Sequence, residues 1–406
     1  MNDRIKNIKA KEILDSRGNP TIEAELYTEK GIFKASVPSG ASVGRYEAVE
    51  LRDGDKERYN GKGVLKAVKN ITQIISPKIK GEDPKNQKKI DNLMIELDKT
   101  DDKSKLGANA ILAVSLAVSR AGAGSKEINL WQHLKELIGN QKDVFMPLPC
   151  FNIINGGAHS NNELDIQEFM VIPQYNSFSE NLKTGIDAYN KLKLILKKEL
   201  KEEYLKIGDE GGFSPMISET YKALDFLTKA VSGYKDIKIG LDCAASQFFK
   251  DNKYFIDNKE FEAEDVLSFY NNLIKSYPLI YLEDPFDERD EKMWRIIKNQ
   301  FINVIIIGDD LTATNKRIIS DKKDFISGVI IKPNQRGTIT ETLEAVRVAK
   351  DNGIKIIVSH RSGETEDDFI SDLAVGIGAD FIKSGAPYPK ERMAKYNRLL
   401  KIEKTI

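Results

Sequence analysis

Between Lys238 and Lys383 one pattern recurs: a short apolar run rich in Ile and Val that ends on a residue able to carry charge. KIGLD ends at Asp242, LIYLE at Glu283, VIIIGD at Asp309, GVIIK at Lys332, KIIVSH at His360 and DFIK at Lys383. A buried strand does not need such an ending, because a charge closing an apolar run must find a partner, a metal or water. Each run is followed by roughly 15 to 30 residues of helical periodicity, enough for the crossover that parallel neighbours require. Alternating strands and helices of this kind close into a barrel whose catalytic groups gather at the carboxyl ends of the strands. Three acids come first, then Lys, His with Arg, and Lys. The rim is therefore expected to divide into a cation-binding half and an anion-binding half.

The 406 residues leave room for such a barrel and one further domain. Lys plus Arg and Asp plus Glu balance at 62 each, so no overall field favours nucleic acid or an anionic membrane, and an anion must be bound locally. Cys150 and Cys243 lie far apart in apolar runs and read as buried thiols, with neither a disulfide framework nor a zinc site. MNDRIKNIKAKEIL has no signal-like apolar stretch and no run is long enough to span a bilayer, which points to a soluble cytoplasmic protein.

Residues 4 to 37 alternate as three short antiparallel strands with turns at SRGNP and EKG. PSGASVGRYEAVELRDGD (38–55) is rich in small residues and aperiodic, as expected of a disordered insert or a functional lid. Helical patterns follow near 63–78, 84–98 and 106–121, the last apolar nearly all round and hence buried. NLWQHLKELIG forms a short helix in which His133 reads as structural, and the domain boundary falls near residue 140. PCFNIINGG (149–157) and DIQEFMVIP (165–173) are joined too closely for a crossover, so they are predicted to pair antiparallel. Helices are expected near 177–204 and 218–233, with the glycine-rich IGDEGG between them a loop. Together with the six opening runs, these two strands make eight, enough to close a barrel.

SRGNPT, PSGAS, LGANAILAVS, NGGAHS with DIQEFM, GDEGG, LEDPF, GDDLT, KPNQ, SHRSGETED, IKSGAP and YNRLL together closely resemble the enolase family over essentially the whole chain. The resemblance implies an α/β barrel of the ββαα(βα)6 type (141–406) and a smaller α+β N-terminal domain (1–140) whose loop 38–50 is a mobile lid. It also implies reversible magnesium-dependent dehydration of 2-phospho-D-glycerate to phosphoenolpyruvate, in a cytoplasmic homodimer or octamer, with neither nucleic acid nor membrane as partner. The lid residues Val43, Arg45 and Tyr46, and also Gln247 and Arg336, depart from the usual family pattern.

Asp242, Glu283 and Asp309 are three hard oxygen ligands on successive strand ends, as a magnesium ion needs. Without a cation their charges repel and at least one pKa rises. Of the neighbours Asp309 and Asp310, strand alternation lets only one point inward, and the resemblance selects Asp309; Asp284 reads as orienting the loop. Lys332 is the candidate base for the C2 proton, and Lys383 supplies a neighbouring charge and holds the substrate carboxylate. The resemblance makes Glu210 the general acid, supported by Glu168, with Gln167 also at the site. His159 and His360 are placed to polarise the leaving group and contact substrate, and Arg361 with Ser362 to bind phosphate. Ser42 corresponds to the serine that reaches a second magnesium ion, which arrives with substrate as the lid closes. Rival readings are another member of the same superfamily, a racemase or sugar-acid dehydratase, and a non-catalytic scaffold.

Overall fold

The computed structural model describes residues 3–40, 44–139, 144–201 and 205–406. The expected boundary residue 140, the metal-binding candidate Ser42 and the departure at Val43 lie outside these residues.

The chain opens with an antiparallel meander, β1 (Asn7–Leu14), β2 (Pro20–Tyr27) and β3 (Ile32–Ser36), as the alternation predicts. Its buried face, including Ile22, Ala24 and Leu26, packs on helix α4 (Ala108–Lys126). The intervening helices are α1 (Leu65–Asn70) and α2 (Ser76–Ile79), joined through a π turn at Ile71–Ile75, and α3 (Gln87–Asp98). The small side chains of α4 allow close approach on every side, and residues 108–119 are all buried. Helix α5 (Leu130–Ile138) carries His133, wholly enclosed, so its structural reading stands.

The barrel begins with β4 (Leu148–Asn155), antiparallel to β5 (Glu168–Pro173), which is antiparallel in turn to β6 (Ile237–Asp242). Helices α6 (Phe178–Leu200) and α7 (Thr220–Val231) lie between β5 and β6, and residues 207–213 form the expected loop. After β6 the chain makes a small antiparallel sheet, β7 (Phe249–Lys250), β8 (Lys253–Ile256) and β9 (Lys259–Phe261), that sequence reading did not anticipate. From α8 (Ala263–Ser276) the alternation is regular: β10 (Leu279–Glu283), α9 (Glu291–Gln300), β11 (Ile305–Gly308), α10 (Lys316–Asp321), β12 (Gly328–Ile331), α11 (Ile339–Asp351), β13 (Lys355–Ser359), α12 (Phe369–Ile377), β14 (Phe381–Lys383) and α13 (Lys390–Glu403). β14 pairs with β4 and closes an eight-stranded barrel.

Strand period two explains how this barrel builds a site. Cys150, Met170, Tyr281, Ile307, Ile330, Ile357 and Phe381 form one apolar cluster inside the barrel. Two residues from each, on the inward-facing phase, stand Asn152, Glu168, Glu283, Asp309, Lys332, Ser359 and Lys383. The alternate residues, such as Leu241, Ile306, Val329 and Val358, join the outer core under the helices. A floor of apolar side chains thus lies beneath a ring of polar ones.

Candidate active site

Register levels the site. Glu168 pairs with Asp242, and Asp242 with Glu283, so three carboxylates sit side by side on β5, β6 and β10. Because β5 runs against its neighbours, its first residue meets their last. The six charged strand ends read from sequence converge at this mouth, where a cleft with a free volume of about 40 Å³ is lined by residues including Glu168, Asp242, Asp309, Lys332, His360 and Lys383. A larger cleft of about 830 Å³ lies at the opposite end, where β13 begins, and gathers no comparable group of acids and histidines.

The rim does not divide into a cationic and an anionic half. Lys383 reaches across the mouth, its Nζ lying 2.8 and 2.9 Å from the two Glu283 oxygens and 3.2 Å from both Asp242 and Glu168. Buried charges pair with whatever opposite charge is near, and from β14 the lysine stem spans to the acids. Burial opposes its charge, yet these acids hold the Lys383 pKa well above the usual lysine range. Lys332 pairs with Asp309 in the same manner, and its pKa is raised despite burial. Asp309 is lowered, with Lys332 and Lys383 outweighing burial. Burial and the adjacent Asp242 push Glu283 up to about 8.

Asp310 also lines the cleft. Strand β11 ends at Gly308, so both aspartates belong to a turn and alternation does not separate them. Asp284 accepts from the backbone N–H groups of Asp309 and Asp310 at 3.0 and 2.8 Å, which orients that turn.

Glu168, which Lys383 also touches, joins Glu210 and His159 in a group whose potential ligand atoms fall within 4.8 Å of one another. Glu210 comes from the 207–213 loop and accepts from Asn152 Nδ2 at 2.8 Å. Its Oε1 is 3.2 Å from His360 Nε2 and 3.6 Å from His159 Nδ1. Burial and the nearby Glu210 charge raise Glu168 well above the carboxylate range; Glu210 is held well below it, the histidines and Arg392 outweighing burial. Burial brings His360 down to about 4, although Glu210 acts on it in the other direction.

Gln167 donates to Asp242 at 3.3 Å and accepts from Gln247 at 2.7 Å, while Gln247 also accepts from the Ala158 N–H. The Gln247 departure therefore joins the His159 loop to the acids. Arg361 donates to Glu47 at 2.9 Å, and Ser362 is buried beside it in the same cleft. Glu47, from the expected lid, was not singled out by sequence reading. Gln335, which donates to Asp309 at 3.2 Å and accepts from Thr314, was missed for the same reason: neither closes an apolar run. Within the described part of 38–50, Ser39 exchanges two backbone hydrogen bonds with Gly363, and Arg17 donates to the Ser39 and Gly40 carbonyls. Arg336 pairs with Glu341, and Tyr46 packs against Arg45 outside the cleft.

The donor set fits a hard divalent cation. Asp242, Glu283 and Asp309 offer only oxygens, the donor type such a cation takes, and burial together with Asp242 raises Glu283. Among the described residues, the group whose ligand atoms lie close enough together to hold one metal is His159, Glu168 and Glu210.

Comparison with known families matches residues 5–134 to the enolase N-terminal domain and residues 143–406 to the enolase C-terminal TIM barrel domain. With both its parts so matched, the chain belongs to the enolase family, lyase-type enzymes acting on a small-molecule substrate.

Proposed function

We propose that the protein interconverts 2-phospho-D-glycerate and phosphoenolpyruvate, with two magnesium ions per site. The observation that carries this reading is one cleft in which Lys332 and Lys383 pair with Asp309, Asp242 and Glu283 beside the cluster of His159, Glu168 and Glu210. Lys332, once Asp309 no longer holds the ammonium and one of its protons has passed to solvent, takes the C2 proton as a neutral amine. Lys383 steadies the substrate carboxylate. On the far side, Glu210 acts with Glu168 as general acid on the departing hydroxyl, assisted by His159 and with Gln167 nearby. His360 contacts the substrate, and Arg361 with Ser362 binds its phosphate. Asp242, Glu283 and Asp309 would hold the first magnesium ion and Ser42 the second, and the bound ions would supply positive charge to the substrate carboxylate as C2 loses its proton.

The same reading divides the chain near residue 140 and makes the protein a cytoplasmic homodimer or octamer. No helix among the described residues is long and apolar enough to cross a membrane. A coupled assay on 2-phosphoglycerate tests the proposal. Phosphoenolpyruvate should form with magnesium, stop with EDTA and resume when magnesium is restored; turnover undiminished by chelator, or none at all with magnesium, would overturn it.

A further inference from the structure

We propose that Arg392, in the first turn of α13, is a positioning residue that fixes the His360 imidazole with its proton on Nε2, facing Glu210. Arg392 is fully buried. One of its terminal nitrogens lies 2.7 Å from His360 Nδ1. A guanidinium has five donors and no acceptor, and it does not deprotonate in a protein. Nδ1 must therefore accept, and a neutral ring then carries its single hydrogen on Nε2, which stands 3.2 Å from Glu210 Oε1. That Nε2–Oε1 contact is at ion-pair distance rather than an aligned hydrogen bond.

The remaining contacts of Arg392 reach the same two loops. It donates to the carbonyls of Arg361 at 2.6 Å, Ser362 at 2.7 Å and Asp209 at 2.9 Å. The 207–213 loop bearing Glu210 and the 360–362 loop are thus fastened to one cation. Glu391 lies 3.8 Å from the Arg392 Nε, and the Arg392 charge also helps to hold the Glu210 carboxyl low. Burying a cation is costly, and a purely structural tie does not call for one. Gly385 threads between the parts at φ +77°; a Cβ there would come within 2.7 Å of the Glu210 carbonyl, 3.1 Å of Arg392 and 3.2 Å of the His360 ring. The opposite tautomer would turn the Nε2 lone pair toward the Glu210 carboxylate and repel it.

The role in turnover rests on the proposed reaction; the tautomer does not. Nitrogen–proton NMR of the imidazoles reads the tautomer directly in the native protein. Only three histidines occur, and His360→Gln identifies the relevant signal. The expected result at neutral pH is a His360 ring protonated on Nε2 alone; an Nδ1–H ring or an imidazolium would overturn the proposal whether or not 2-phosphoglycerate is turned over. Arg392→Gln, which can no longer hold Nδ1 solely as an acceptor, should lower kcat for dehydration by about tenfold or more, with KM changed less than about threefold and exchange of the C2 proton retained. Arg392→Lys, which keeps a donor-only cation, should recover part of kcat and retain the Nε2–H signal. An unchanged tautomer in both variants, with exchange and dehydration lost in parallel, would make Arg392 scaffolding only. Should the variants fail to fold, the native spectrum still decides; should the native protein not turn over 2-phosphoglycerate, only the reaction reading falls.

Discussion

Lys332 and Glu210 stand on opposite sides of one cleft and are held by different partners. The Lys332 backbone donates to Thr314 at 2.9 Å and its ammonium pairs with Asp309, whereas Glu210 is gripped by Asn152 and two histidines. If they act on different bonds, their losses separate. Lys332→Ala should abolish exchange of the C2 proton with solvent, a loss of about 10²–10⁴-fold for a general base. Glu210→Gln should retain that exchange while losing dehydration. Deuterium exchange of 2-phosphoglycerate measures both, and parallel loss in correctly folded variants counts against the division of roles. The lysine and the acids were legible because each closes an apolar run. Asn152 was legible in principle, since it lies two residues beyond inward-facing Cys150. Arg392 was not: in KERMAKYNRLL a buried cation reads like any charge on a surface helix.

Elements were readable where periodicity ran long or a link was too short for its alternative. The link between β4 and β5 forbade a crossover, and the structure pairs those strands antiparallel. The small sheet β7–β9 escaped because its strands are two to four residues long, although each hairpin turn is an Asp–Asn pair at positive φ, Asp251–Asn252 and Asp257–Asn258. Helix α5 illustrates what a structural histidine does. His133 Nδ1 lies 3.2 Å from Lys126 Nζ, which can only donate, and burial with that charge lowers its pKa to about 4. Folded His133 therefore binds fewer protons than unfolded His133. Its stabilisation is complete above pH ~6.5 and is lost as pH falls toward 4, at about 1.4 kcal/mol per unit. Between pH 7 and 5 the native protein should lose about 2 kcal/mol more than His133→Gln in urea unfolding. Equal losses would show that the ring does not titrate in this way.

Across the whole molecule, the barrel supplies most of the site and the N-terminal part covers it. Asp91 of α3 caps the start of α11 through Thr340, Arg120 of α4 holds Asp367 and Asp368, and Ser39 bridges to Gly363. This joining was legible only through family resemblance, because no local pattern in either part announces a partner in the other. Its consequence for binding centres on Glu47 and Arg361, both 7 % exposed and paired at 2.9 Å. Their carboxylate–guanidinium contact resembles the one a phosphate would make, so an arriving phosphate must compete with Glu47. In Glu47→Gln the guanidinium loses that partner, while Asp309 and Glu50 remain among its surrounding charges. The variant should be less stable by about 3 kcal/mol in phosphate-free buffer, the low end for breaking a buried pair. Inorganic phosphate should then raise its Tm more than it raises that of the native protein, because no carboxylate has to be displaced first. Thermal unfolding with phosphate and with chloride at matched ionic strength measures the difference. An equal response from both proteins would mean that Glu47 does not compete for the anion, and that its pairing with Arg361 only fastens the N-terminal part to the barrel.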